Sequence, residues 1–328
     1  MKVLLINVDA RWNLAIRRMY AYFTEHGHEV EHLDLGLSGY PHSRTVEVNA
    51  HGFSKVYVSN IFEQNMFRVK VTGCSDVEYG GIGSRNQSNR LPPEIEATPP
   101  YYAPNEKITY GFITRGCIRN CWFCKVPQHE GGLKAYNPIK GIIRGVPGEI
   151  VKFLDNNILA YPDHMEVLRY LVESGVRCRF DQGLDFRLVN DENLEMLARL
   201  NYAGEYTFAF DDPRYRSALD RKIKVIKAHI PQPWRVRFYV YHHPDMDLGH
   251  LLERVEWCRR HECLPYVMRD SACWDCADKN FLIDFTAYCN QPSFFKQMSF
   301  EEFLSRRENS KQRRAESLRT WERLHRKD

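Results

Sequence analysis

Short apolar runs and one amphipathic stretch alternate along the N-terminal part of the chain. Apolar runs at residues 3–8, 30–35 and 56–59 predict three buried strands, and residues 17–26 have helical periodicity. This order predicts a small α/β unit over residues 1–66. The turn after its first strand lacks a GxGxxG fingerprint, which disfavours a dinucleotide site there.

The composition changes between residues 67 and 105, which are rich in Gly, Pro, Ser and Asn. Such a composition predicts a loop-like linker between two domains. The run 80–83 contains three glycines, which allow either linker flexibility or a close approach of the backbone to a ligand.

From residue 108 onward, six apolar runs are separated by amphipathic stretches. The predicted strands are 110–113, 150–154, 179–181, 207–210, 235–241 and 264–268, and the predicted helices are 165–174, 192–200, 217–229 and 248–261. Repeated strand and helix predicts a parallel sheet, and six such units indicate a partial or complete barrel. Polar residues follow these strands, and in a barrel the C-terminal strand ends form the active face.

The composition excludes a wholly disordered chain, because 43% of residues are hydrophobic and 27% are charged. No apolar run approaches the roughly 20 residues that a membrane span needs. We therefore expect a cytoplasmic, reducing environment, in which the ten cysteines are thiols or metal ligands rather than disulfides.

The C-terminal tail is basic although the net charge is only +4: residues 305–328 hold nine Lys/Arg and four Asp/Glu. The tail is compatible with a nucleic-acid partner, although a solvated helix face is the commoner explanation of such a composition. Leu318, Trp321 and Leu324 have a spacing that would let a helix dock on the body.

Three cysteines, Cys117, Cys121 and Cys124, lie within eight residues, directly after a predicted strand. Three soft ligands on one loop favour a metal site. An iron-sulfur cubane normally takes four thiolates, so this loop would leave one iron open to a non-protein ligand. Structural zinc is the alternative, with His129 completing a Cys3His set, although Lys134 stands where a zinc knuckle would place its next cysteine.

The spacing Cys117-x3-Cys121-x2-Cys124, with an aromatic residue before the last cysteine, resembles the signature of the radical S-adenosylmethionine (radical SAM) superfamily. Residues 116–131 are also similar to the methylthiotransferase branch, and the leading α/β unit to that branch and to cobalamin-domain-containing relatives. The resemblance implies a 4Fe-4S cluster and reductive cleavage of S-adenosylmethionine to a 5′-deoxyadenosyl radical. That radical would abstract hydrogen from an unidentified substrate, for which a nucleic acid or nucleotide is the candidate.

The resemblance also implies a layout. We expect an α/β protein with a small Rossmann-like domain at residues 1–66, a linker at 67–105, a partial (β/α)6 radical SAM barrel at 106–270 and a C-terminal extension with a basic helix at 271–328. Residues 1–73 contain no cysteine, and no DxHxxG segment is present. A second N-terminal cluster and cobalamin are therefore disfavoured at their usual places.

Cofactor contacts follow from the same resemblance. Phe123 would lie near the adenine, and Asp155, Asn156 and Asn157 are candidates for the amino group of S-adenosylmethionine. In these three residues the chain departs from the Gly-Gly-Glu-like segment of the family.

Three further candidates, Gln182, Asp185 and Arg187, follow the third predicted strand. They could reach the ribose and the methionine carboxylate, with Arg187 as a bidentate clamp. The alternative for Asp185 and Arg187 is a salt bridge at the barrel rim. A reductant such as flavodoxin or ferredoxin would be a partner.

A second group of thiols, Cys273, Cys276 and Cys289, is a candidate for an auxiliary metal, with ordinary buried cysteines as the alternative. If Cys117, Cys121 and Cys124 bound zinc instead of iron, the chain would be a zinc-stabilised nucleic-acid-binding protein without catalysis.

Overall fold

The computed structural model describes residues 1–37, 45–84, 90–307 and 311–325. The chain divides into two compact units, Met1–Gly111 and Phe112–Asp328. Both are mixed α/β structures with parallel strands. In the described ranges no helix combines the length and the apolar character needed to cross a membrane.

The first unit is built on an open parallel sheet. The strands of this unit are β1 (Lys2–Asn7), β2 (Glu29–Asp34), β3 (Val46–Asn49), β4 (Lys55–Ser59), β5 (Val69–Thr72), β6 (Val77–Gly80) and β7 (Ile108–Gly111), of which β7 is not part of the main sheet. Its helices are α1 (Leu14–Glu25) and α2 (Pro93–Ala97). The main sheet has the order β2-β1-β4-β6, and β3 pairs with β5. The three strands and the helix predicted before residue 60 are confirmed as β1, β2, β4 and α1.

Strand β1 is buried on both faces, which explains its continuous apolar run. Leu4 and Ile6 pack into one core on one face, and Val3 and Leu5 pack with α1 on the other. Asn13 caps the N-terminus of helix α1, and its side chain accepts a hydrogen bond from the backbone N–H of Ile16 in the first turn.

The linker predicted over residues 67–105 is not a loop-like connection, because β5, β6 and α2 lie within it. Residues 85–89 are outside the described part. Gly81 in this segment is required by close packing, because a Cβ there would lie 2.2 Å from the carbonyl oxygen of Asn60. The composition wrongly predicted a loop because very short strands alternate in this region with turns that contain glycine.

The second unit places helices after parallel strands. Its strands are β8 (Thr114–Arg115), β9 (Lys134–Ala135), β10 (Ile150–Phe153), β11 (Arg177–Phe180), β12 (Tyr206–Ala209), β13 (Val236–His242) and β14 (Leu264–Arg269). Its helices are α3 (Val126–His129), α4 (His164–Ser174), α5 (Asp191–Arg199), α6 (Arg216–His229), α7 (Leu248–Arg260), α8 (Lys279–Cys289), α9 (Pro292–Gln297), α10 (Phe300–Arg306) and α11 (Lys311–His325).

Strands β10 and β11 pair in parallel, as do β12, β13 and β14 in that order. Two isolated bridges, Cys178 to Tyr202 and Leu184 to Phe208, connect the two groups. The last five predicted strands and the four predicted helices are confirmed as β10 to β14 and α4 to α7. The described strands do not close into a ring.

The C-terminal extension shares the core of the second unit. Phe281, Phe285 and Phe300 are almost fully buried, and the docking predicted for Leu318, Trp321 and Leu324 is confirmed. Asp284, which is fully buried on α8, accepts hydrogen bonds from Arg313 at 2.7 Å and Ser317 at 2.8 Å. Part of the predicted basic tail, residues 308–310 and 326–328, lies outside the described residues.

Candidate functional site

The cysteine loop, defined as residues 116–124, leaves β8 through a glycine that no other residue could replace without strain. Gly116 has a φ of +82°, and a Cβ there would lie 2.2 Å from the carbonyl oxygen of Gly132. Its backbone N–H donates to the Asn156 side chain at 3.1 Å, and that of Cys117 donates to the carbonyl of Gly131 at 3.3 Å. The loop is therefore fixed at its start.

Asp155 fastens the segment that leads into this loop. Its carboxylate accepts hydrogen bonds from the backbone N–H of Ile113 at 3.0 Å and of Thr114 at 2.5 Å, and from the Thr114 hydroxyl at 2.7 Å. Burial raises the pKa of Asp155 to about 6, although these hydrogen bonds oppose the rise. Asp155 therefore positions backbone, as Asn156 does.

The three thiols of the loop are half-buried and lie close enough to influence one another electrostatically. Burial raises the pKa of the Cys121 and Cys124 thiols; the Arg187 guanidinium opposes this for Cys121. The sulfur of Cys117 accepts a hydrogen bond from the backbone N–H of Arg119 at 3.3 Å. Within the described ranges, no three His, Cys, Asp or Glu side chains are gathered around a point that a single metal ion could occupy.

Asn157 lies beside the thiol of Cys117, and only the nitrogen of its side-chain amide has hydrogen-bond partners among the described residues. Its nitrogen is 3.6 Å from the Cys117 sulfur and 3.3 Å from a carboxylate oxygen of Asp185. Its oxygen is buried and has no hydrogen-bond partner among the described residues, and the side chain is only 3% exposed. Since burying an amide oxygen without a partner is costly, this atom is suited to accept a hydrogen bond from a ligand.

Asp185 is the centre of an ion cluster next to the cysteine loop. It accepts hydrogen bonds from Arg119 at 2.9 Å and, in a bidentate arrangement, from Arg187 at 2.6 and 3.0 Å. Burial opposes ionisation, but the two guanidinium groups outweigh it and hold the pKa of Asp185 below its ordinary range. The salt bridge between Asp185 and Arg187, the alternative for these two residues, is thus present. Two N–H groups of the Arg187 guanidinium donate to the Asp185 carboxylate. Gln182 is exposed and takes no part in this cluster.

Aromatic rings flank the thiols on another side. Phe123 stacks on Tyr241 with a centroid distance of 4.2 Å and an interplanar angle of 16°. The Tyr241 hydroxyl donates to Asp270 at 2.7 Å, and both burial and this bond raise the pKa of Tyr241. Trp122 meets Phe123 and His243 edge-on, yet remains 64% exposed. Trp122 is therefore an exposed surface residue of the loop, whereas Phe123 is held against β13.

Neither models of known protein families nor curated proteins match this chain. The site itself offers three thiols on an anchored loop, an amide oxygen that has no partner among the described residues, and two guanidinium groups.

Two other residues near the loop have their own positions. Arg115 forms an ion pair with Glu130 and lies over the ring of Phe112 at 4.1 Å. His129, the candidate zinc ligand, ends the short helix α3. Among the described residues, His129 and the cysteines do not form a group that could hold one metal ion.

Among the described residues, Cys273, Cys276 and Cys289 are not gathered around a point that one metal ion could occupy. The thiol of Cys276 contributes to the raised pKa of Cys273, whereas Cys289 contributes to that of Cys258. Burial raises the pKa of Cys273 to about 12 and also that of Cys289 well above its ordinary value. Cys273 and Cys289 therefore have the environment of buried thiols, whereas Cys276 is half-buried.

Sequence reasoning did not find Tyr241 and Tyr215. Tyr215 accepts a hydrogen bond from Arg187 at 3.0 Å and thereby supports the ion cluster. Tyr241 is the last residue of the predicted strand 235–241, and Tyr215 lies in the segment after the predicted strand 207–210. An aromatic residue near the C-terminal end of a predicted strand is the sequence feature that could have identified them.

Proposed function

We propose that this chain is a radical SAM enzyme that holds a 4Fe-4S cluster on Cys117, Cys121 and Cys124. The observation that carries the proposal is the anchored three-thiol loop with the oxygen of Asn157 beside it, which accepts no hydrogen bond from the described residues. Three thiolates suit a four-iron cluster with one iron left for a non-protein ligand. When bound, the cluster and S-adenosylmethionine would supply a one-electron cleavage that yields methionine and a 5′-deoxyadenosyl radical.

The residues around the thiols have separate tasks in this proposal. Asn157 would accept a hydrogen bond from the amino group of the cofactor through its free oxygen, and its nitrogen would donate to the Cys117 sulfur. Arg119 and Arg187 would offset negative charge near the thiolates, because Asp185 neutralises only part of their combined charge. Hydrogen bonds and positive charge near sulfur also make a cluster easier to reduce.

Phe123 and Tyr241 provide the apolar side of the proposed site. The stacked pair offers a ring face or edge to the adenine, as we expect for Phe123. Asp155 and Asn156 would act indirectly, by holding the backbone of the loop. Gln182 is exposed near the carboxyl end of β11 and is left as a candidate contact to the ribose.

We propose the partial (β/α)6 barrel as the architecture that supports this site. Five parallel strands, β10 to β14, follow one another with a helix after each of the first four. Polar side chains at their carboxyl ends include Asn157, Asp185, Asp211 and Asp270. In β/α barrels that end carries the chemistry.

A cytoplasmic location and a flavodoxin-like or ferredoxin-like reductant belong to the same proposal. All ten cysteines are free thiols, which agrees with a reducing compartment. The reaction consumes one electron per cleavage, which a small electron carrier would deliver.

A nucleic acid or nucleotide is the proposed substrate class, with α11 as the contact for a nucleic acid. Several cations of the tail are already paired: Arg307 and Arg313 with Asp284, and Arg323 with Asp278. Lys311 and Arg319 are exposed on α11 and would supply the phosphate contacts.

Anaerobic reconstitution with iron and sulfide tests the metal assignment. We expect about four irons per chain and an electron paramagnetic resonance signal, after reduction, that changes when S-adenosylmethionine is added. Cys117→Ser, Cys121→Ser and Cys124→Ser should each lose the signal, whereas Cys74→Ser, a half-buried thiol of the other unit, should keep it. Stoichiometric zinc without iron would favour a zinc-stabilised nucleic-acid-binding protein instead.

A further inference from the structure

The first unit contains a cavity of about 440 Å³ between helix α1 and strand β2. Its volume is within the usual range for small-molecule sites. The residues of β2 that line it, Val30, His32 and Asp34, alternate along the strand and therefore share one face. The other lining residues used in the argument are Asn7, Trp12, Asn13, Arg17, Tyr20 and Tyr101.

Asp34 presents a carboxylate at one end of this cavity. It is the last residue of β2, at the carboxyl edge of the parallel sheet. One of its oxygens accepts a hydrogen bond from the Asn7 amide at 2.6 Å; within the described ranges the other makes none, and the side chain is 61% exposed. In doubly wound α/β folds an acidic residue that follows the first βα turn in this way binds the hydroxyls of a ribose.

The turn between β1 and α1 does not offer a cradle for a diphosphate. It contains no glycine, so its backbone cannot approach a pyrophosphate as closely as a glycine-rich turn does. The Asn13 oxygen already accepts the hydrogen bond of Ile16 N at 3.2 Å, and its nitrogen donates to the side chains of Asn7 and Ser59. The cavity therefore favours a ligand with a ribose and no diphosphate.

Aromatic side chains form further walls of the cavity. Tyr20 and Tyr101 have a centroid distance of 4.8 Å, and Trp12 lines the cavity near the turn. Arg17 fixes the segment that carries Tyr101, because it donates to the Tyr101 carbonyl at 3.0 Å and to Glu106 at 2.7 and 2.9 Å. These rings give a planar base surfaces to contact.

We infer that this cavity binds a ribonucleoside, with the ribose hydroxyls on Asp34 and the base among Trp12, Tyr20 and Tyr101. This inference goes beyond the cluster chemistry and does not depend on it, since every residue involved belongs to the first unit. The same chemistry is offered by a free nucleoside and by the 3′-terminal nucleoside of an RNA strand.

Calorimetric titration of the full-length chain, without added iron, tests the inference. The probes are adenosine, guanosine, cytidine and uridine, each with its 2′-deoxy counterpart. At least one ribonucleoside should bind saturably, and loss of the 2′-hydroxyl or Asp34→Asn should weaken its binding by about tenfold or more. Asp34→Asn keeps an acceptor for Asn7, so the local structure should persist. Tyr20→Leu should weaken binding of both sugar forms.

Glu31→Gln is the matched control, because Glu31 is the neighbour of His32 on β2 and pairs with Lys2 away from the cavity. It should bind as the unsubstituted chain does. Short RNAs with a free or a 3′-phosphorylated end identify the source: tighter binding of the free 3′ end indicates an RNA terminus, and equal weakness of both indicates a free nucleoside. No saturable binding, binding that ignores Asp34→Asn and Tyr20→Leu, or tighter binding of ADP than of adenosine would overturn the inference.

Discussion

The amide nitrogen of Asn157 lies 3.6 Å from the sulfur of Cys117, while the amide oxygen of the same side chain is buried without a partner in the described structure. One residue thus contacts a proposed cluster ligand and offers an acceptor to whatever binds next to it. A neutral amide can do both, whereas a carboxylate would add negative charge beside three thiolates.

Asn157→Ala should retain the cluster and lose affinity for S-adenosylmethionine. The three thiols are unchanged, but one hydrogen bond to a charged ammonium disappears, which costs about 1.5 kcal/mol or roughly tenfold in affinity. Iron content and anaerobic equilibrium dialysis measure the two effects. Asn201→Ala removes an exposed amide that bonds to the Gly175 carbonyl and should change neither. Unaltered affinity in Asn157→Ala would exclude it as a cofactor contact.

Asp185→Asn should destabilise the second unit, because it removes the counter-charge of Arg119 and Arg187. The carboxylate is 5% exposed, and the two arginine side chains are partly exposed at 32% and 25%. We expect a loss of about 2–3 kcal/mol, below that of a fully buried pair. Urea unfolding measures it, with Asp191→Asn as a control at a side chain that is 84% exposed. Equal stability of both variants would contradict the importance of this ion cluster.

His242 should make the protein less stable in mild acid. Burial lowers its pKa from 6.5 to about 4, so the folded state favours the neutral ring. That stabilisation is complete above the unfolded-state pKa and is lost as pH falls toward 4. Between pH 7.5 and 5, the unsubstituted chain should lose about 2 kcal/mol more than His242→Gln does, a comparison that cancels the other titrating groups. Parallel pH dependence of the two proteins would show that His242 is not buried neutral.

Asp284 should be needed for the docking of α11. It is fully buried with Arg313 at 2.7 Å and Arg307 at 3.5 Å. Asp284→Ala should cost about 3 kcal/mol, because it leaves those cations without their counter-charge. Amide hydrogen exchange should show faster exchange in α11. Arg314→Ala, on the same helix, should stay within about 0.5 kcal/mol of the unsubstituted chain, and slow exchange in the Asp284 variant would refute the docking role.

Any nucleic-acid binding through α11 should weaken steeply with salt. Each phosphate contact contributes a slope of about −0.7 to the dependence of log affinity on log salt for a single strand. Lys311→Ala and Arg319→Ala should each reduce that slope by about one contact, measured with a single-stranded RNA by fluorescence anisotropy. Gln312→Ala, an uncharged position on the same helix, is the control. A flat salt response would end this part of the proposal.

The sequence predicted most elements of the fold because their apolar periodicity is strong. β10, β12, β13 and α4 to α7 lie close to the predicted ranges, since buried parallel strands form continuous apolar runs. The region 67–105 was mispredicted because β5 and β6 are only four residues long and end at glycine-rich turns. Short strands leave little periodicity to detect.

Roles within the site depended on geometry that spacing does not contain. The sequence marked Asp155, Asn156 and Asn157 as one group, yet the first two bind backbone, and the Asn157 oxygen has no partner within the described ranges. Consecutive residues after a strand point in different directions, so their partners come from tertiary structure. The stacking of Phe123 on Tyr241 likewise joins residues far apart in the chain.

Formation of 5′-deoxyadenosine tests the central proposal most directly. The anaerobically reconstituted chain is reduced with dithionite, mixed with S-adenosylmethionine and analysed by chromatography. We predict 5′-deoxyadenosine from the unsubstituted chain and from Cys74→Ser, and none from Cys117→Ser, Cys121→Ser or Cys124→Ser. Continued production in any of those three variants, or a chain that takes up zinc and no iron, would contradict the proposal.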